Sequence, residues 1–246
     1  MITIGEMQIS GMLTMLMLSV MLMFCVPHRS KPYGSFTRAR WMMAIGTGLI
    51  GAQFLLQHSL GFRQLGITQA VLLNLLFFTP ASLMCSMAIL YLQRQGYIAR
   101  KEWWIAGGIC ALTIVLLLAT VLLDGVPIEE ESTKLRTMEY VCAMLYVLMQ
   151  GYIFRHQFDA YLRLKQVVDK YYDRKRHDLF GWMGWSMRTM AILALFVPVV
   201  VFMEGKLFVL FSIAYFFGIT YSTISLYSYG ISENQKKVEE AVKGRI

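Results

Sequence analysis

In a chain of 246 residues, 57% are hydrophobic and only 15% charged, which leaves too little polar surface to coat a water-soluble globule. The formal charge of +8 at pH 7 is compatible with nucleic acid or acidic lipid as a partner, and its distribution along the chain decides between them. Four cysteines, Cys25, Cys85, Cys110 and Cys142, stand singly in apolar stretches, which excludes the paired spacing of a zinc site or a redox dithiol and leaves a packing role.

Seven apolar stretches follow one another, each near the roughly 20 residues that cross a hydrocarbon core about 30 Å thick. Only helices satisfy their own backbone groups there. The fold class expected is therefore all-α: a polytopic membrane protein with seven transmembrane helices, in a transmembrane domain over residues 1–231. The first span, 9–26, follows a segment with Glu6 and no Lys or Arg, and precedes Arg29, Lys31, Arg38 and Arg40. With the positive flank after the apolar run and no small-residue cleavage site, it reads as a retained helix whose N-terminus lies outside.

The remaining spans read as 41–60, 70–92, 103–123, 138–154, 180–203 and 207–230. Between the fifth and sixth, residues 155–178 form a cytosolic helical extension, because Tyr161, Leu164, Val168 and Tyr171 recur at gaps of three, four and three amid dense charge. The chain is expected to turn near Lys175 to Asp178. A short cytosolic helical tail, 232–246, follows the last span, with Glu239 four residues before Lys243 and a faint heptad through Ile231, Gln235, Val238 and Val242.

Charge tests this arrangement, since a wrong helix count would scramble the sides on which Lys and Arg accumulate. Of 23 Lys and Arg, only Arg63, Lys134, Arg136 and Lys206 fall on the outer face, and only Arg188 within a span. Asp124, Glu129, Glu130, Glu131 and Glu139 are assigned to the outer connection between the fourth and fifth spans, so no acid is expected inside a span. All five tryptophans, Trp41, Trp103, Trp104, Trp182 and Trp185, fall at expected inner helix ends, where an indole prefers the headgroup layer. The C-terminus is thus expected in the cytosol, and the positive charge is mostly a topology signal.

Gly46-Thr47-Gly48-Leu49-Ile50-Gly51 has the spacing of a dinucleotide fingerprint, but that motif needs a strand-to-helix turn and here lies within a span. Ala44, Gly48 and Ala52 recur every four residues, the pattern that lets a second helix approach closely; Gly107 with Ala111 and Gly218 with Ser222 read likewise. Polar groups inside spans must find partners. Gln53 and Gln57 share one helical face, with His58 beside them, and Asn74 is placed to meet them from the third span. These four are the candidate ligand-binding residues of a small outward-opening pocket, against the alternative of structural hydrogen bonds between helices. Gln150 and Arg188 lie nearer the inner side, Arg188 within snorkelling reach of headgroups, and Pro80 and Pro198 are expected to bend their helices.

Nothing points to catalysis. The chain has no His-Glu-x-x-His, no aspartate in a span and no lysine in the seventh span for a retinal Schiff base, while His28, His156 and His177 have no second ligand at helical spacing. No enzyme activity, cofactor or metal is expected.

Several strings resemble the N-terminal membrane region of bacterial membrane-tethered AraC-type regulators, in which seven helices precede a cytosolic helix-turn-helix domain. They are Thr37-Arg38-Ala39-Arg40-Trp41-Met42-Met43, Gly66-Ile67-Thr68-Gln69-Ala70, Tyr91-Leu92-Gln93-Arg94-Gln95-Gly96 and Leu195-Phe196-Val197-Pro198. The resemblance implies a sensory or signalling unit of the bacterial inner membrane that relays an outer or membrane-borne cue to a cytosolic output. Residues 232–246 are too few for the DNA-binding part, so direct nucleic-acid binding is not expected, and the partners are the lipid bilayer and a cytosolic or membrane protein. A small-solute transporter and a structural membrane partner are the alternative readings.

Overall fold

The computed structural model describes residues 3–25, 34–65, 67–94, 96–127, 130–171, 174–203 and 205–243. Among these no strand occurs; the elements are α1 (Ile4–Phe24), α2 (Gly34–Leu60), the short α3 (Phe62–Leu65), α4 (Ile67–Gln93), α5 (Arg100–Asp124), α6 (Thr133–Tyr171), α7 (Arg174–Val201) and α8 (Gly205–Lys243). His28, Arg29, Lys31, Gly66, Gln95, Glu129 and the end of the tail, 244–246, lie outside the described residues.

Local chemistry sets several helix ends. Thr3 and Glu6 form a reciprocal capping box on α1: Glu6 N donates to Thr3 Oγ1 at 3.2 Å and Thr3 N to Glu6 Oε2 at 2.8 Å. α5 ends on Gly125 in the left-handed conformation, φ +65°, which glycine adopts without steric cost.

Among the described residues six helices are long and apolar enough to cross a membrane: α1, the Phe36–Leu60, Thr68–Gln93, Gly184–Val201 and Phe208–Ser228 parts of α2, α4, α7 and α8, and α5. This is the composition of a multi-pass membrane protein. α6, which contains the expected fifth span, falls short because Tyr140, Tyr146, Gln150 and Tyr152 interrupt its apolar residues between Glu139 and Arg155.

Successive long helices run antiparallel. Ser19 meets Ala44 and Gly48 while Leu16 meets Gly51, pairing α1 with α2; Gly46 meets Cys85 while Gln57 meets Ala70, pairing α2 with α4. α4 and α6 run parallel, since Ser82 pairs with Tyr146 and Ser86 with Gln150. The chain thus forms a ring α1, α2, α4, α6, α7, α8, closed where Gly11 meets Phe216, with α5 set outside against α4 and α6. We call the end carrying α3 and the α5–α6 connection upper, and the end carrying the α4–α5 connection lower.

Burial follows. In α4 72% of the membrane-length segment is buried against 22% in α5, so α4 is the hub and α5 the periphery. Leu112, Val115, Leu118 and Leu122 of α5 and Leu13, Met17 and Val20 of α1 are exposed, a belt that water would penalise and acyl chains would not.

The second-span glycines pack as their spacing predicts, Gly48 and Gly51 receiving α1; on the other face a Cβ at Gly46 would collide with Cys85 Sγ and lie 3.0 Å from the Ala81 carbonyl oxygen. Gly218 likewise abuts Leu193. Gly107 and Ala111 do not form such a face: nothing lies within 4 Å of a Cβ at Gly107, and Ala111 is exposed, because α5 turns that side outward. Cys85, Cys110 and Cys142 are buried packing residues, whereas Cys25, at the end of α1, is exposed.

Three other expectations change. Glu139, assigned to the outer connection, is fully buried, since α6 begins at Thr133 and is already against α4 one and a half turns later. Arg40, counted as surface charge, is 2% exposed. The 155–178 extension does continue the fifth segment, as one helix to Tyr171, but its first turns still pack in the bundle, where Gln157 and Ala160 are buried. Lys175 to Asp178, where a turn was expected, are helical within α7, and the 232–246 tail continues α8 as far as Lys243.

Candidate functional site

Gln53 and Gln57 are four residues apart on α2 and therefore share a face. That face is turned to α4, and both amides converge on Asn74: Gln53 Nε2 and Gln57 Nε2 each donate to Asn74 Oδ1, the latter at 3.0 Å, and Gln57 Nε2 also reaches the Ala70 carbonyl at 2.9 Å. All three are about 2% exposed. With both amide nitrogens spent on Asn74, Gln53 Oε1 and Gln57 Oε1 have no hydrogen-bond partner. His58, one residue and about 100° further round the helix, is exposed and lies towards α1, its ring 3.8 Å from where a Cβ at Gly5 would stand. Three of the four candidate residues come together and His58 does not join them.

Gln53 and Asn74 form the polar edge of a cavity of about 30 Å³ between α2, α4, α7 and α8. That volume admits roughly two water-sized groups. Its walls are Phe54 and Phe78, Val197 and Val200, and Phe208 and Phe211, with Ser212 and Tyr215 as further polar groups. Tyr215 stands edge-on to Phe78, with centroids 5.5 Å apart at 89°. Phe208 is pinned from above by Arg63, whose Cζ lies 3.5 Å from the ring centroid while Nη1 donates to the Met203 carbonyl at 3.3 Å. Pro198 lies within α7 beside this wall and removes one backbone donor from the helix.

Beneath the cavity a polar ladder descends α4 at four-residue steps. Ser82 Oγ is 3.0 Å from Tyr146 Oη, Ser86 Oγ donates to Gln150 Oε1 at 3.0 Å, and Gln157 Nε2 donates to the Ser86 carbonyl at 2.7 Å. Ser86, Gln150 and Gln157 edge a second cavity of about 30 Å³ between α4, α6 and α7, into which Gln150 leaves Nε2 unpartnered. The sequence reading marked Gln150 but not Ser82, Ser86, Tyr146 or Gln157. Asn74, Ser82 and Ser86 do share one helical face, a signal visible in the spacing, yet serine and tyrosine are common in spans and nothing local distinguishes a ladder from scattered hydroxyls.

At the lower end Arg94 Nη1 donates to both Glu102 oxygens, at 2.8 and 2.7 Å, and Ala99 N donates to Glu102 Oε2 at 3.2 Å. His156 Nδ1 lies 3.4 Å from Glu102 Oε1 and 3.5 Å from Arg94 Nη2. This cluster ties the α4–α5 turn to α6. His156, which had no ligand partner at helical spacing, finds its carboxylate through tertiary contact instead. No group of three or more His, Cys, Asp or Glu suited to a metal occurs among the described residues. Arg188 is exposed, its Cζ 5.9 Å from the Trp185 ring, in line with a snorkelling residue.

No family model, curated protein or solved structure matches this chain.

Proposed function

We propose that the chain is a seven-span sensory module of the bacterial inner membrane, N-terminus outside and C-terminus cytosolic, which binds a small ligand in the upper cavity and relays the event through its long helices. The observation that carries this reading is the unpartnered Gln53 Oε1 at the edge of an otherwise aromatic and aliphatic cavity. A buried acceptor without a donor costs free energy that a ligand hydroxyl or amine would recover. The ligand class is therefore a small, neutral, mostly apolar molecule with one hydrogen-bond donor; among the described residues no charged side chain lines the cavity to meet an ion.

Relay needs two packings with different ligand affinity. The cavity wall is shared by α7 and α8, and α8 runs unbroken for 39 residues, as does α6. At 1.5 Å per residue each is roughly 58 Å long, against a hydrocarbon core of about 30 Å. The surplus of both helices points to the lower side, where the basic residues collect, so a small shift of α8 at the cavity moves a cytosolic lever. The strings similar to the membrane region of AraC-type regulators support an output of this kind through a cytosolic partner or domain.

The test uses the full chain in nanodiscs, with methanol and ethanol as probes. Methanol is expected to raise the melting temperature of the parent protein relative to Ser212→Val, which fills the cavity and is expected to abolish that shift while retaining a cooperative melt. An equal shift in both would remove the cavity from the reading. The ladder from Asn74 to Gln157, with a cavity on either side of the Ser82–Tyr146 pair, favours transport as a second reading. Saturable solute flux into reconstituted vesicles would select it over sensing.

A further inference from the structure

At the upper end, where α4, α5 and α6 meet, acceptor oxygens gather without donors. Glu139 is 0% exposed, and neither of its carboxylate oxygens has a hydrogen-bond partner. The backbone of Leu72 lies beside it, but that amide already belongs to the α4 helix ladder. One turn above, Gln69, Leu72, Asp124, Ser132 and Leu135 help enclose a cavity of about 20 Å³. Leu72, whose backbone lies beside Glu139, and Leu135, one turn before Glu139 on α6, both line this cavity, so it adjoins the carboxylate through them. Gln69 is 1% exposed; its Nε2 donates to the Glu130 carbonyl at 3.1 Å, and its Oε1 has no partner. The Asp124 carboxylate, 6% exposed, lies 3.6 Å from Lys134 Nζ, which is mostly in solvent.

The charges around Glu139 do not neutralise it. Arg136 on its own helix is the one positive charge whose field reaches Glu139, and it acts from an exposed position without pairing with it, while the Cys142 thiol one turn below donates to the Thr113 carbonyl at 3.8 Å. α4 has no charged side chain, and the only charge of α5 at this end is another acid, Asp124. A buried carboxylate with no paired counter-charge is too costly to persist and must acquire positive charge. The neighbouring room fits one water-sized ion; its walls are largely apolar, from Leu72, Val121, Val126 and Leu135, and the polar groups among its lining residues, the unpartnered Gln69 Oε1, the Asp124 carboxylate and Ser132, offer hard oxygen atoms.

We propose that the α4–α5–α6 junction binds a small monovalent cation, a proton or Na⁺, on Glu139, admitted through the cavity edged by Gln69 and Asp124. The site is separate from the ligand cavity and shares only α4 with it, so it stands whether or not the sensory reading does. Binding neutralises Glu139 and removes an unpaired buried charge from the α4–α6 interface.

A hydrophobic carbodiimide tests this on the parent protein in nanodiscs, because it couples only to a protonated carboxyl, the proton passing to a carbodiimide nitrogen as the oxygen adds to its carbon. Modification of the Glu139 peptide is read by mass spectrometry. If Na⁺ is the occupant, then at about ten times its dissociation constant it slows labelling roughly tenfold relative to choline at equal ionic strength. If the proton is the occupant, labelling rises on acidification and Na⁺ has no effect. Absence of labelling at Glu139, or labelling indifferent to both pH and Na⁺, overturns the proposal. Glu139→Gln is expected to lose the label and any cation-dependent shift in melting temperature. Should that variant not fold, the parent protein decides alone, and Gln69→Leu supplies the second arm: under Na⁺ occupancy it weakens protection, and under proton occupancy it leaves the pH response in place.

Discussion

Asn74 is the residue on which the upper site turns, since one carbonyl oxygen accepts two amides from the neighbouring helix. Removing it strands Gln53 Nε2, while Gln57 keeps the Ala70 carbonyl. An unsatisfied buried donor costs about 1–3 kcal/mol, and hydrogen bonds between membrane helices average about 0.6 kcal/mol. Asn74→Ala is therefore expected to lower stability by about 1–2 kcal/mol in a detergent-unfolding titration. A double change of Gln53 and Asn74 to Leu is expected to restore most of the loss, because no donor is then left unpaired. A double variant as unstable as the single one would mean that packing, not polarity, makes the cluster matter. At this scale the sequence was legible wherever identical chemistry recurs on one turn, as in Gln53 and Gln57. It was silent on Glu102 with His156, 54 positions apart and joined only by the fold.

Among elements, the glycines of α2 decide how closely the bundle's centre is drawn together. Gly46 faces Cys85 and the Ala81 carbonyl of α4, and Gly51 faces Leu16 of α1, so α2 is held tightly on both sides. Gly46→Ala would press a methyl group against a backbone oxygen that cannot rotate away, and overpacking of this kind costs about 1–3 kcal/mol. Gly107→Ala meets open space on α5 and is expected to be neutral or stabilising by up to about 1 kcal/mol through helix propensity. Thermal unfolding of the two variants side by side checks the pair; equal behaviour would contradict the hub position of α4 and the peripheral one of α5. Small residues at four-residue spacing predicted a close approach in both α2 and α5. Only in α2 does a neighbour arrive, because spacing marks a face without saying what it faces.

Across the whole molecule, hydrophobic length and charge asymmetry converge on one arrangement. The exposed Trp41, Trp104 and Trp185 fall near the lower helix ends, and the continuous α6 and α8 extend beyond that same layer. Reporter fusions at the N-terminus, after Arg163 and at the C-terminus are expected to place the first outside and the other two in the cytosol. A reporter after Arg163 on the same side as the N-terminus would mean that α6 does not cross, a direct test of the one long helix whose apolar segment is broken by tyrosines and Gln150.

The amino-acid order by itself determined the helical class, the presence of several helices apolar and long enough to cross a membrane, and the face on which Gln53, Gln57 and Asn74 could meet. Each of these depends on interactions within a few turns or on transfer from water to lipid, and such terms are readable along the chain. Tertiary structure alone decided that α4 is the hub, that His58 turns away, that Ser82 and Ser86 meet α6, and that Glu139 is buried without a hydrogen-bond partner. Those outcomes depend on which helix faces become neighbours, and in lipid no hydrophobic gradient selects among apolar faces. Shape and the pairing of a few polar groups, distributed over distant segments, make that choice.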